Sequence, residues 1–327
     1  MGADVYASSP AARRVFDLAS EALGFSLSTI CFEGPDETLR ETVNTQPALV
    51  ATSLAVLAAM QEAAGATLPE QGEPALAAPL RPAFVAGHSV GEYSALAVAG
   101  VLTIGETLRL VRERGRLMHQ EGQACPSGMA AVLGMDAAAL TALCEEATAD
   151  ALARLAPDET HPGAGRVVVA NDNAPGQIVI SGAQDALERA MALARERGAR
   201  RVVPLTVSGA FHSPVMTYAA QGLSTAMERI SLRDASIPVI SNISATPLTA
   251  SADLRAELAR QIESPVQWSR SVEYLARQGV GIFVEIGAGQ VLSGLIKRIA
   301  KGTTILSAAT TAEAAAVAEQ LREQLAS

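Results

Sequence analysis

The stretch from Ala83 to Ala99 constrains the fold more than any other. Four apolar residues, Ala83-Phe84-Val85-Ala86, run into Gly87-His88-Ser89-Val90-Gly91, and Glu92 to Ala99 continues with helical spacing. A strand, a Gly-x-Ser-x-Gly turn and a helix make a sharp reversal, in which small residues let the chain fold back on itself. The serine Oγ then projects from the turn, and the free N–H groups at the start of the helix face whatever bonds to it. The predicted element is a nucleophile elbow with Ser89 at its tip. The same residues also describe a glycine-rich strand-to-helix turn with a serine N-cap, so the rest of the chain has to separate the two.

With 327 residues, 49% of them hydrophobic and 18% charged, the chain has material for one large or two moderate domains. A net charge of −9 with no basic block argues against a nucleic-acid surface. Aromatic residues at 3% are too few for a base-stacking platform. Cys31, Cys125 and Cys144 are odd in number and lack metal-ligand spacing, which predicts a reducing compartment, no disulfide framework and no metal. The residues from Met1 to Tyr6 carry no basic flank followed by an apolar run, so no signal peptide is expected. The most apolar run, Pro47 to Met60, is short for a bilayer and is interrupted by Thr52 and Ser53. The expectation is a cytoplasmic protein without membrane or nucleic-acid partners, monomeric by default.

Along the chain, helices and strands alternate. Residues 10–23 have helical periodicity, with Val15, Leu18, Ala19 and Leu23 on one face. Thr45-Gln46-Pro47 opens a second helix, and the span from Gly65 to Pro82, with four prolines, reads as a surface loop. Thr103 and Glu106 form a capping box for a helix reaching about His119. On that helix Arg109, Arg112, Glu113 and Arg116 fall on a solvated side, but Arg114 lies inside the apolar arc of Leu110, Val111, Leu117 and Met118. A guanidinium there is costly unless an anion meets it. It is either a snorkelling or salt-bridged residue or a clamp for an anionic substrate.

From Cys125 the texture changes. Strands near 129–133, 166–170, 177–181 and 201–207, with helices at 136–147 and 185–198, give the order βαββαβ of a ferredoxin-like unit. Because α/β texture resumes afterwards, it reads as an insertion. His212, in the loop Ser208-Gly209-Ala210-Phe211-His212-Ser213-Pro214, is well placed to act as a base, whereas His119 and His161 sit at a helix end and in a polar loop. Later strands are expected at 237–242 and 282–286, and a helix at 291–299. Gly287-Ala288-Gly289 reads as a tight turn rather than a phosphate loop.

These motifs, in this order, resemble the malonyl-CoA:acyl carrier protein transacylases of the acyltransferase family. The likeness rests on Gly-His-Ser-Val-Gly-Glu-Tyr-Ser-Ala-Leu, on Arg114 in Val-Arg-Glu-Arg-Gly-Arg-Leu-Met, on Gly-Ala-Phe-His-Ser-Pro-Val-Met and on Ser-Pro-Val-Gln-Trp. Thr45-Gln46-Pro47-Ala48 and Glu285-Ile286-Gly287-Ala288-Gly289-Gln290 look like further signatures, and the resemblance spans about residues 1–305. It implies that Ser89 takes malonyl from coenzyme A as an ester and that His212 is the base, then the acid for the leaving thiol. It implies Arg114 on the malonyl carboxylate, Gln267 beside His212, Val90 as an oxyanion N–H, and Gln46, His88 and Phe211 lining the substrate. Phe211 matches the malonyl-selective form of its motif. An acyl carrier protein would be the acceptor, in fatty-acid synthesis, with no metal or other cofactor. The family's Gly-Gln-Gly-x-Gln strand-loop, whose glutamine N–H is the second oxyanion donor, has no counterpart here; Met1-Gly2-Ala3-Asp4 aligns just beyond it.

Three other readings stay open on the residues alone, one of them a non-catalytic remnant that binds acyl-CoA or a partner. A serine hydrolase or thioesterase would need an acid between Ser89 and His212, for which Asp172 and Asp185 are available in the insertion. An acyltransferase serving a polyketide synthase would share all the chemistry. The expected architecture is an α/β-hydrolase-like parallel-sheet domain over 1–124 and 204–327, with a ferredoxin-like subdomain over 125–203 and the site between them.

Overall fold

A computed structural model describes residues 1–68 and 72–326. Pro69, Glu70 and Gln71, inside the loop expected between Gly65 and Pro82, lie outside the described residues. The chain opens with helices α1 (Ala3–Ser8), α2 (Pro10–Leu23), α3 (Leu27–Glu33), α4 (Asp36–Arg40), α5 (Thr42–Ala63), α6 (Gly91–Val98) and α7 (Ile104–Ala124). Next come β1 (Ser127–Leu133), α8 (Ala137–Leu152), β2 (Val167–Ala174), β3 (Gln177–Ala183), α9 (Gln184–Glu196) and β4 (Arg201–Pro204). The remainder holds α10 (Thr217–Met227), β5 (Val239–Ile240), β6 (Pro247–Leu248), α11 (Ser251–Gln261) and α12 (Trp268–Arg277), then β7 (Ile282–Ile286), α13 (Val291–Ile299), β8 (Thr304–Ala308) and α14 (Thr311–Ala326).

Helix α5 is the spine of the larger core. It is apolar all round, and α2, α7 and α14 pack against it. It is longer than the sequence suggests, and by length and composition it could cross a bilayer, yet 78% of its apolar stretch is buried inside the protein. It also starts at Thr42 rather than Thr45, so Pro47 falls inside it. Proline has no N–H for the carbonyl four residues back. Arg112 of α7 supplies the missing donor to the Val43 carbonyl at 3.0 Å, and its guanidinium lies 4.8 Å from the Phe25 ring centroid. Arg112 is therefore half-buried and structural, not the solvated charge that its helical face suggests.

Strands β1 to β4 form an antiparallel sheet in the order β2-β3-β1-β4. One face is covered by α8 and α9, and Val132, Leu140, Leu143, Ile178, Ile180 and Leu187 make a core separate from the larger one. Each of the six predicted elements is present, with bounds shifted by a few residues.

Among the described residues, the parallel pairing expected of the larger part is confined to β7 with β8 and to a bridge between Val85 and Val239, with one further parallel bridge, Asn171 to Val266, running to β2. The elbow segment 83–86 is extended but bonded on one side only: the Val85 N–H donates to the Pro238 carbonyl at 3.0 Å, and the Ile240 N–H to the Val85 carbonyl at 2.9 Å. Pro238 removes a ladder donor from this pair, and the expected strands at 83–86 and 237–242 shrink to a bridge and to the two residues of β5. The two parts of the chain are joined through β2, where the Asp172 N–H donates to the Val266 carbonyl at 2.9 Å and the Val266 N–H to the Ala170 carbonyl at 2.8 Å.

Candidate active site

Ser89 occupies the bend between the elbow segment and α6, with φ at 52°. The reversal depends on Gly87, where a Cβ would lie 2.0 Å from the Gly91 carbonyl. Gly122 makes a second close approach: a Cβ on it would sit 2.0 Å from the Ser208 oxygen, so α7 lies flat against the loop that carries His212. His212 is 3% exposed and also has positive φ, 59°. Among the described residues only Ala245 joins these two as a non-glycine in the left-handed region. Strain of this kind persists only where the surroundings over-determine the backbone.

The serine and the histidine meet. Ser89 Oγ lies 2.6 Å from His212 Nε2. His212 Nδ1 faces two carbonyl oxygens, Gln261 at 2.9 Å and Ser264 at 3.1 Å. Carbonyls only accept, so Nδ1 carries the proton and Nε2 presents its lone pair to the serine hydroxyl. Burial, reinforced by the charge on Arg114, pushes the imidazole down to about 3. His212 is thus a neutral base throughout the neutral range.

Arg114 is 1% exposed, as its place in the apolar arc of α7 predicts. Its Nη1 donates to Gln46 Oε1 at 2.6 Å; its Nη2 donates to Ser89 Oγ at 3.1 Å and to Gln261 Oε1 at 3.1 Å. The guanidinium carbon is 5.6 Å from the Tyr93 ring centroid, and Nε has no acceptor among the described residues. No carboxylate pairs with it among the described residues. Its direct hydrogen-bond partners are all neutral, and Glu92, whose carboxyl is raised by burial, acts on it only from beyond Gln261, so the buried cation is incompletely compensated; it points at the serine oxygen.

Gln261, which lies outside the motifs of the sequence, ties the centre together. Its side-chain Nε2 donates to the Ser89 carbonyl at 3.1 Å and to Glu92, its Oε1 accepts from Arg114, and its main-chain oxygen orients His212. This is the place expected for Gln267. That residue is instead half-buried at the start of α12, where its N–H meets the Asn242 carbonyl and its own carbonyl accepts from Ser271. The assignment misses by six residues: the end of α11 brings the Gln261 carbonyl to Nδ1, and the Ser-Pro-Val-Gln-Trp segment reaches it through the Ser264 carbonyl rather than through Gln267. A signal did exist: Gln261 continues the buried face of Leu254 and Leu258 on α11, as Arg114 does on α7. Glu92 and Glu257 are likewise buried, and Glu92 is raised well above the usual carboxyl range by burial and then by Glu257.

The other expected residues distribute unevenly. Gln46 touches Arg114, as noted. Phe211 packs between the larger core and Met129, Ala170 and Val179 of the sheet, next to His212. Val90 directly precedes α6 at its N-cap, and its N–H meets no acceptor among the described residues. His88 turns away from the centre: its Nε2 is 2.7 Å from Asn173 Oδ1 on β2, and its ring lies 5.6 Å from that of Trp268. Burial pushes it below the ordinary histidine range. Neither Asp172 nor Asp185 reaches His212.

A strained serine bonded to a carbonyl-oriented histidine, with a buried arginine alongside, is an arrangement that can activate a hydroxyl for acyl transfer. Residues 1–325 match the acyl transferase domain family, and the chain belongs to it. It is 42% identical to the malonyl CoA-acyl carrier protein transacylase of Bacillus subtilis over 91% of this chain and 86% of that protein. The corresponding Escherichia coli protein is 39% identical, with 91% of this chain and 88% of that one covered. The acyl-carrier-protein S-malonyltransferase structure from Bartonella henselae superposes with a TM-score of 0.86 at 36% identity, covering 98% of this chain and 95% of that one. A structure described as a type II polyketide acyl carrier protein in complex with its malonyl-transacylase matches with a TM-score of 0.85 at 34% identity, covering 98% and 94%.

Proposed function

We propose that the chain moves a malonyl group from the thioester of malonyl-CoA to the phosphopantetheine thiol of an acyl carrier protein, through an ester on Ser89. The single observation carrying this reading is the buried Arg114 guanidinium, whose Nη2 reaches the nucleophile while its other partners are neutral amides. A malonyl carboxylate supplies the anion that the site lacks, in the bidentate geometry a guanidinium favours.

The residues then divide the work. His212 Nε2 takes the Ser89 proton as Oγ attacks the thioester carbon. The tetrahedral oxygen that forms is met by the Val90 N–H at the start of α6. Collapse expels the CoA thiolate, which takes the proton from His212, and malonyl remains on Ser89. In the second half the carrier thiol gives its proton to His212 and attacks the ester, and Ser89 recovers its own. The sequence is ping-pong and calls for no metal or redox group from the protein. Gln46 and Gln261 hold Arg114, and Phe211 closes the apolar side of the acyl pocket.

In the same reading, residues 1–124 and 204–327 form an α/β-hydrolase-like domain, and 125–203 a ferredoxin-like insertion; the strand order β2-β3-β1-β4 supports the latter. The protein works as a cytoplasmic monomer supplying fatty-acid synthesis. A hydrolase is disfavoured, since carbonyls instead of a carboxylate orient His212. Incubation with malonyl-CoA or acetyl-CoA, followed by transfer to a holo carrier protein, tests the proposal. Malonyl transfer well above acetyl transfer is expected. CoA release without carrier acylation would overturn it in favour of hydrolysis.

A further inference from the structure

The elbow backbone is held by a side chain that none of the chemical steps above employs. Asn242, directly after β5, is 3% exposed. Its Nδ2 donates to the Gly87 carbonyl at 2.7 Å, and its Oδ1 accepts the Ser89 N–H at 2.7 Å. One planar amide thus bridges the backbone on both sides of His88. These two bonds act where the elbow is least relaxed, because Ser89 has φ at 52° and lacks the freedom of glycine. Asn242 is itself braced. Its carbonyl accepts the Gln267 N–H at 2.8 Å. Glu257 of α11 ties the residues on either side, accepting from Ser241 Oγ at 2.7 Å and from the Ile243 N–H at 3.0 Å.

We propose that Asn242 is a positioning residue for acyl transfer: its amide locks the Ser89 backbone in the left-handed region and so fixes the line from Ser89 Oγ to His212 Nε2. The same amide engages the Ser89 N–H, which leaves the Val90 N–H as the elbow's donor to a tetrahedral oxygen. Without these bonds the 87–89 backbone relaxes toward negative φ and Oγ turns from the imidazole. Such a displacement slows the chemical step and leaves ground-state binding largely intact, since Arg114 is held by Gln46 and Gln261 and not by Asn242.

The inference rests on the Ser89 acyl-enzyme proposed above, and the test keeps the two apart. Single-turnover acylation by malonyl-CoA is followed by quenched intact-mass measurement on the unaltered chain, Asn242→Ala, Asn242→Asp and Ser89→Ala. The aspartate variant keeps an acceptor for the Ser89 N–H but sets a carboxylate oxygen against the Gly87 carbonyl. Asn242→Ala is expected to lose about 10²-fold in the maximal acylation rate, and Asn242→Asp to fall between it and the unaltered chain. The malonyl-CoA concentration for half-maximal rate should stay within about threefold in both. If Asn242→Ala does not fold, as read by circular dichroism, Asn242→Asp carries the comparison. A folded variant that acylates at the unaltered rate overturns the positioning role, as does a loss confined to half-saturation. Acylation of Ser89→Ala overturns the acyl-enzyme reading instead.

Discussion

The four-stranded unit and the elbow region are built on opposite terms. In the unit, adjacent strands pair antiparallel, two helices cover one face, and Val132, Leu140, Ile178 and Ile180 form a closed core of their own. Its stability is a matter of apolar contact. In the elbow, an isolated bridge at Val85 carries the backbone into the strained Ser89, and long-range polar contacts from Arg114 of α7, Gln261 of α11 and Asn242 hold it. The difference separates what makes the chain fold from what makes it reactive. Disturbing the unit's core should cost stability before chemistry, and disturbing the elbow network should do the reverse.

The largest expected effect is on the chemical side. Removing the base in His212→Ala should lower carrier acylation by about 10²–10⁴-fold, with thermal unfolding shifted little. A large loss of Tm with chemistry preserved would erase the contrast. Arg114→Ala should follow, with malonyl transfer falling by about 30- to 3,000-fold, the cost of removing one partner of a buried charge pair. Acetyl transfer should fall far less. Unchanged malonyl preference in that variant would sink the clamp. On the stability side, Leu140→Ala opens a cavity in the unit's core and should cost about 2–5 kcal/mol by denaturant unfolding. Its acylation rate at low temperature should stay near that of the unaltered chain.

The unit was nearly all legible in the sequence, and the centre only in part. Alternating Val, Ile and Ala on β1 to β3 and the helical periods of α8 and α9 are local signals, and local pairing realises them. Arg114 was legible because a charge inside an apolar arc violates the pattern at one position. Gln261 breaks the pattern of α11 in the same way but carries no charge, so the segment with the motif drew the assignment to Gln267 instead. The expected strand at 83–86 has the right composition, yet pairing depends on neighbours distant in sequence, and the proline at 238 thins the ladder. Asn242 carries no periodic signal at all; its role comes from contacts across more than 150 positions of chain.

Two smaller effects sharpen the contrast. His212 is depressed to about 3 by burial and by Arg114. The base form is therefore retained as pH falls through the ordinary histidine value near 6.5, and the acid limb of acylation should lie well below it. The sign for stability follows. The unfolded chain protonates this histidine below about 6.5 while the folded one does not, so its contribution favours folding above that pH and turns against it as pH falls. Arg114→Ala should move the acid limb upward; an unmoved limb would mean that burial alone sets the imidazole. The smallest effect is expected from Arg112→Ala, which leaves the Val43 carbonyl opposite Pro47 without its donor. A loss of about 0.5–1.5 kcal/mol is expected, with no change in acyl preference.

The most direct measurement is intact mass after mixing the protein with malonyl-CoA, on the unaltered chain and on Ser89→Ala. The account predicts one malonyl adduct on the first and none on the second, discharged when a holo carrier protein is added. An adduct that survives Ser89→Ala, or steady CoA release with no adduct on either chain, would contradict it.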